Sequence, residues 1–214
     1  MGELRIVFII ALGYVIGSFP TAYIAGRFNG INIFELGSGN MGTTNILRTL
    51  GWFWAVIVLA VDLGKGVLAV MVGAALAEPG IVSAASGSVI CAVAAVVGHN
   101  WSLFASLLTG TLRGGKGAAT AAGTWLLLVP AKILFLPVLV LLIAIIKTRY
   151  MSLGVLLSVA TAAISLGFLI LTNELEPSYV IYYLVGVVIV FRFRDNIRRL
   201  LDGNERRIGE RVKI

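Results

Sequence analysis

The chain has 214 residues, of which 59% are hydrophobic and only 13% charged, and its formal net charge is +7. An ordinary soluble domain is about 45–50% apolar and about 25% charged, and a domain of this size leaves much of its surface in water. That excludes a soluble globular enzyme, a disordered chain and a disulfide-stapled module, since Cys91 is the only cysteine.

A mean hydropathy of +1.00 and apolar runs of helix length predict a single-domain, all-α polytopic membrane protein over 1–214. Apolar runs punctuated by charge, proline or glycine place seven spans, at roughly 4–25, 53–76, 82–99, 117–129, 132–147, 153–172 and 178–191. The first lacks a suitable small-residue cleavage site and is read as a retained span, not a signal peptide. The fourth and seventh are short for a hydrocarbon core of about 30 Å. Pro130 and Pro137 leave the fourth-to-fifth region as either two spans or a re-entrant pair.

Seven spans put Arg27, Arg48, Arg113, Lys116, Lys147 and Arg149 on one side. The same side takes the tail residues Arg192, Arg194, Arg198, Arg199, Arg206, Arg207, Arg211 and Lys213. The other side keeps Arg5 and Lys132 beside Glu3, Glu78, Glu174 and Glu176. Basic loops stay cytoplasmic, so the N-terminus is expected outside and the C-terminus inside. No tail exceeds about twenty residues, so chemistry is expected of loops and helix ends at the membrane surface.

The first basic-side loop reads Gly37-Ser38-Gly39-Asn40-Met41-Gly42-Thr43-Thr44-Asn45, with Arg48 one turn on. Glycine allows close backbone approach and positive φ, and successive N–H groups in such a turn make an anion nest. A plain flexible connector needs neither two asparagines nor the arginine. The second loop, Arg113-Gly114-Gly115-Lys116-Gly117, runs into a predicted helix. Gly110, four residues and Gly115-Lys116 nearly spell a P-loop. Gly117 stands where Ser or Thr would hold Mg²⁺, and no strand precedes it, so a nucleoside triphosphatase is rejected. A phosphate site built from backbone N–H groups, Lys116 and Arg113 survives that rejection, as does a merely basic loop with glycine hinges.

The third loop, Lys147 to Ser152, offers Ser152 as a helix cap or a ligand. The tail from Phe191 to Glu205 interleaves arginine with leucine and isoleucine, as an interfacial helix does, yet Asn196 and Glu205 are not needed for anchoring. Asp62 and Lys65 share one helix face inside the second span, where charge is costly and reads as functional or as a self-compensating pair. His99 is the only histidine, so a His/Cys metal cluster is excluded. There is no Gly-x-Ser-x-Gly elbow, and a His-x4-Asp pair is missing because Phe104 stands fifth after His99.

Gly37–Asn45, Asp62-Leu63-Gly64-Lys65-Gly66, Gly98-His99-Asn100, Gly114-Gly115-Lys116-Gly117, Arg149-Tyr150-Met151-Ser152 and Arg194-Asp195-Asn196-Ile197-Arg198-Arg199-Leu200 occur in that order along the chain. Together they resemble the bacterial acyl-phosphate:glycerol-3-phosphate acyltransferase family of integral membrane enzymes. The resemblance implies seven spans, an N-out and C-in topology in the bacterial inner membrane, and an active site at the cytoplasmic face. It implies transfer of a fatty acyl group from acyl phosphate to the 1-hydroxyl of glycerol 3-phosphate, giving lysophosphatidic acid and phosphate. That is the first step of phospholipid synthesis, without cofactor or metal. An acyl phosphate is already activated, so positioning and electrostatics suffice.

Ser38, Asn45, Lys116, Ser152 and His99 are the expected catalytic set. Gly37, Gly39, Asn40, Gly42, Thr43, Thr44, Arg48, Lys65, Gly114, Gly115, Gly117, Arg194, Asn196, Arg198 and Glu205 are the expected substrate contacts. Expected partners are acyl phosphate, glycerol 3-phosphate, the lipid bilayer and an upstream acyl-phosphate synthase, with no nucleic acid. Phe193 stands where the family often carries a histidine, so no tail imidazole base is expected. An organic-anion transporter and a lipid-binding scaffold are the rival classes.

Overall fold

The computed structural model describes residues 2–210; the basic-tail residues Arg211 and Lys213 lie outside them. The described residues are helical, without strands. In chain order the helices are α1 (Gly2–Gly17), α2 (Thr21–Phe28), α3 (Thr43–Thr49), α4 (Trp52–Ala75), α5 (Ala84–Asn100) and α6 (Leu103–Thr109). After them come α7 (Ala118–Leu128), α8 (Ala131–Thr148), α9 (Met151–Leu171), α10 (Tyr183–Arg192) and α11 (Arg194–Leu201), with a 3-10 turn at Pro177–Tyr182 leading into α10.

Five helical units are long and apolar enough to cross a membrane: Gly2–Phe28, Trp52–Ala75, Ala84–Thr109, Ala131–Thr148 and Met151–Leu171. The two remaining apolar stretches, Ala118–Leu128 and Pro177–Arg192, are the pair that already read as short in the sequence. Pro130 separates α7 from α8 as its N-cap, whereas α8 continues straight through Pro137.

The first span is broken at Ser18–Pro20, inside the predicted run 4–25. Proline has no N–H to continue the ladder, and Phe19 and Pro20 lie outside both helices. Small residues let neighbouring helices touch backbone to backbone, the usual means of association where lipid supplies no hydrophobic drive. A Cβ on Gly17 would overlap the Ala95 carbonyl of α5, one on Gly66 the Thr120 carbonyl of α7, and Gly73 and Gly87 exclude each other's Cβ in the same way. This locks α1, α4, α5 and α7 into one block.

Two apolar clusters sit on either side of it. Val70, Val96, Trp125, Leu166, Tyr182 and Phe193 fill the space between α4, α5, α7, α9 and α10. Ala22, Ile33, Phe34, Met41, Ile46 and Val58 fasten the Gly37–Asn45 loop onto α2 and α4. By contrast α8 buries only Pro137 and Ala144.

Candidate active site

The basic loops meet at one end of the bundle. The Met41 N–H donates to Gly114 O at 3.4 Å, joining the first glycine loop to the second. Asn45, on the first turn of α3, organises the first loop. Its Oδ1 accepts from the Ser38 N–H at 2.8 Å, and its Nδ2 faces the carbonyls of Ile33, Leu36 and Asn40 at 3.1–3.2 Å. Asn40 Nδ2 donates to Ser38 O at 2.8 Å. Gly37 and Gly39 hold φ of 61° and 65°, the left-handed region, which closes this tight curl. Asn45, expected among catalytic groups, is therefore occupied on all sides by its own loop, and its geometry is that of a positioning residue. Gly42 is the N-cap of α3, with Thr44 behind Thr43 on its first turn. The Thr43 hydroxyl is buried there without a partner.

The second loop departs from the nest expected of it. The Gly115 N–H is donated to His99 O at 2.9 Å, and Gly115 O accepts from both Nε and Nη2 of Arg192 at 3.0 and 2.8 Å. Gly114 is pressed against the Asn100 carbonyl and Gly115 against the His99 ring, so neither has room for a Cβ. Both glycines are there for space, and the Gly115 amide is not free for an anion. Gly117, at φ 78°, turns the chain into α7.

Lys116 stands out from this packed loop. Its ammonium donates to Asn196 Oδ1 and lies 4.6 Å from the Phe193 ring centroid. Asn196 Nδ2 donates to Glu205 Oε1 at 2.9 Å, and Arg199 Nε pairs with Glu205 Oε2 at 2.9 Å. Burial, then the nearby Arg199, pulls the Lys116 ammonium down to about 8 from its ordinary value, against the opposing pull of Glu205.

Residue 206 carries a second arm. Arg206 Nη1 donates to Gly37 O at 3.0 Å, and Arg48 Nη2 donates to Arg206 O at 3.3 Å. Arg48 is 9% exposed, yet its Nε has no partner. Burial and Arg206 lower its proton affinity. Two residues on, the Ile208 N–H donates to Arg149 O at 2.8 Å and Arg149 Nη2 donates back to Ile208 O at 2.7 Å. Ser152 follows on the first turn of α9, with its hydroxyl buried and unpaired. Residues 205–208 thus strap together the loops that carry Lys116, Arg48 and Ser152. Unpaired buried donors are uncommon, and here Thr43, Arg48 and Ser152 all carry them at the strapped end.

Below this end lies a buried cluster. Lys65 Nζ is 2.9 Å from Asp62 Oδ1 and donates at 3.2 Å to Phe19 O, a carbonyl of the α1–α2 break that also accepts from the Thr21 N–H at 3.1 Å. Thr21 Oγ1 donates to the same carboxylate at 3.4 Å, and His99 Nδ1 lies 3.8 Å from it. Lys65, expected to touch substrate, instead caps a broken helix. His99, expected to orient the nucleophile or the loops, packs against Gly115 and accepts its N–H through its own carbonyl.

Arg194 and Arg198 also differ from expectation. They are exposed on the face of α11 opposite Asn196, and Arg194 stacks on Phe191 at 4.6 Å. On a helix, residues two apart point nearly opposite ways, so Asn196 alone of the three faces inward. The residues that complete the site and were not among the expected contacts are Arg192, Arg199, Arg206 and the Phe193 ring.

Alongside Lys116 an apolar groove of about 300 Å³ opens between α7, α8, α9 and α10. Its lining begins at Ala118, one residue past Gly117, and includes Ile189, one turn before Phe193.

The glycerol-3-phosphate acyltransferase family matches residues 7–203. A glycerol-3-phosphate acyltransferase of Moorella thermoacetica is 41% identical over 204 residues, 94% of this chain and 97% of the relative. One from Rubrobacter xylanophilus is 39% identical over 207 residues, 96% of each chain. The crystal structure of PlsY (YgiH), an integral membrane glycerol 3-phosphate acyltransferase in its glycerol 3-phosphate form, superposes with a TM-score of 0.81. It is 30% identical and covers 95% of this chain and 96% of its own. The lysophosphatidic acid form of the same enzyme gives 0.76 at 30% identity, with 96% of each chain covered. The chain belongs to the glycerol-3-phosphate acyltransferase family.

Proposed function

We propose that the enzyme transfers a fatty acyl group from acyl phosphate to the 1-hydroxyl of glycerol 3-phosphate, at the cytoplasmic face of the bacterial inner membrane. In this reading the chain crosses seven times, with the strapped end inside. The observation that carries it is that one strap ties half-buried Lys116 and buried Arg48 together, with an apolar groove that suits an aliphatic chain opening beside Lys116. Glycerol 3-phosphate and acyl phosphate are both anionic at the head, and only the donor has a long tail.

Lys116, Arg48 and Asn196 grip the phosphate of the acceptor, with Glu205 fixing Asn196. The Ser38–Thr44 turn, with the Thr43 hydroxyl, holds the donor phosphate. Ser152 orients the attacking hydroxyl. That hydroxyl oxygen bonds to the acyl carbonyl carbon, the bond from that carbon to the phosphate oxygen breaks, and inorganic phosphate leaves. The hydroxyl proton passes to a phosphate oxygen of a substrate, since no side chain at the strapped end among the described residues is placed as a base. The fixed cations and donors stabilise charge as phosphate departs, and side-by-side binding supplies the proximity. The donor comes from a synthase that either phosphorylates a free fatty carboxylate or phosphorolyses an activated acyl group, inorganic phosphate displacing the activating group.

The test is phosphate release from palmitoyl phosphate by purified protein in lipid mesophase, with and without glycerol 3-phosphate, metal or nucleotide. Release that needs the acceptor and yields lysophosphatidic acid is expected. Folded Lys116→Ala and Arg48→Ala variants should each lose at least about 100-fold, the loss of a charged contact worth ~3 kcal/mol. Wild-type rates in both would refute the assignment.

A further inference from the structure

We infer that the aromatic pair Trp125–Tyr182 is the floor of the groove and sets the length of acyl chain the enzyme prefers; this rests on the reading of the groove as the donor-chain site. Apart from Leu63 of α4, the groove is lined by four helices that each have one end at the strapped face. On α7 the lining runs from Ala118 to Leu126, on α9 from Val155 to Leu166, on α8 from Leu141 back to Leu134, and on α10 from Ile189 back to Tyr183, with Tyr182 of the preceding 3-10 turn just beyond. In each helix the residue farthest from the strapped face belongs to the same deep end, where Trp125 and Tyr182 lie with ring centroids 6.2 Å apart.

That floor is rigid. Tyr182 is 7% exposed, and its hydroxyl is hydrogen-bonded with Thr124 Oγ1 at 2.5 Å and donates to Ala121 O at 3.2 Å. Trp125 is also 7% exposed and belongs to the core cluster with Leu166 and Leu169. A chain entering beside Lys116 therefore meets a fixed wall rather than a yielding side chain.

At 1.5 Å of helix rise per residue, the lined stretches are about 10–16 Å deep. Carbon–carbon bonds of ~1.5 Å at ~111° advance ~1.25 Å each, so the groove seats about 8–13 methylenes. With about three carbons bridging from the phosphate to the mouth, the optimum falls at about 11–16 carbons. Longer chains must bend out between α7 and α8, where Leu126 and Val138 are exposed, and their ends exchange the packed groove wall for lipid, so kcat/KM falls beyond the optimum.

The experiment presents acyl phosphates of 8 to 20 carbons in competition, with glycerol 3-phosphate, and reads lysophosphatidic acid species by mass spectrometry. Each protein's own octanoyl product is its internal reference, because that chain stops short of the floor. Trp125→Ala should move the optimum up by two carbons or more. Ala122→Phe, which adds a ring at an exposed position one turn below Ala118, should move it down by four or more. If Trp125→Ala does not fold, Ala122→Phe decides alone, since it removes no core contact. Products from all lengths with the wild-type profile in the folded variants would overturn the floor but leave the reaction standing. No product from any acyl phosphate with wild type would overturn both.

Discussion

Replacing Lys65 by methionine removes the ammonium 2.9 Å from Asp62 Oδ1 and one donor to Phe19 O. Asp62 is 2% exposed in the middle of α4 and keeps the 3.4 Å hydroxyl of Thr21, with His99 Nδ1 at 3.8 Å. Stranding one partner of a buried ion pair costs about 3–5 kcal/mol, whereas the Phe19 carbonyl still accepts from the Thr21 N–H at 3.1 Å. The double variant Asp62→Asn/Lys65→Met loses the same contact to Phe19 but strands no charge. The single should therefore be less stable than the double by about 3–5 kcal/mol. At about 2–4 °C per kcal/mol for chains of this length, that is a gap of about 6–20 °C in the apparent midpoint. Thermal unfolding in detergent, followed by tryptophan fluorescence, measures it. A single variant as stable as the double would refute the pairing argument. A well-folded double without acyl transfer would return Lys65 to the substrate site.

The Lys116 ammonium, drawn down to about 8 by burial, should make kcat/KM for glycerol 3-phosphate fall as pH rises through about 8; a flat profile from pH ~7 to ~9.5 would place the essential charge elsewhere. The same shift has a stability sign: between about pH 8 and 10.5 the unfolded chain holds a proton that the folded chain has released, so unfolding should become harder with rising pH in that window. Asn45→Ala leaves the Ser38 N–H and three loop carbonyls without their partner, each costing about 1–3 kcal/mol if it stays buried. Loss of hydrogen-exchange protection across Gly37–Asn45 and at least about a tenfold fall in turnover are expected, and unchanged protection would show that the loop is held by other means.

The seven apolar segments and the glycine-rich loops were legible because both signals are local. A run of leucine and valine, or Gly-Ser-Gly-Asn, announces itself without its neighbours. The break in the first span was missed, because the run 4–25 reads as one apolar stretch despite Pro20, and only the folded chain places Lys65 of α4 beneath the Phe19 carbonyl. The same limit explains Gly115. A glycine beside a lysine reads as an anion nest, and the reason for it, the His99 ring sixteen residues upstream, is a tertiary contact. Arg194 and Arg198 were drawn to the site by their motif. The helix that carries them turns about 100° per residue, so Asn196 points inward and the arginines two positions away point out. Arg206 carried no motif; its role comes from lying next to Glu205 in a strap that crosses two loops.

That strap has a consequence for the order in which activity arises. Membrane helices enter the bilayer as they are synthesised, N-terminal segments first. Lys116 and Arg48 are in place early, but Asn196, Glu205 and Arg206, which fix them, follow the last span. Contacts across 80 and 158 residues close late in folding. A partly made chain therefore presents a groove and loose cations without the clamp that aims them. Acyl transfer begins only once residues 196–206 have closed the clamp.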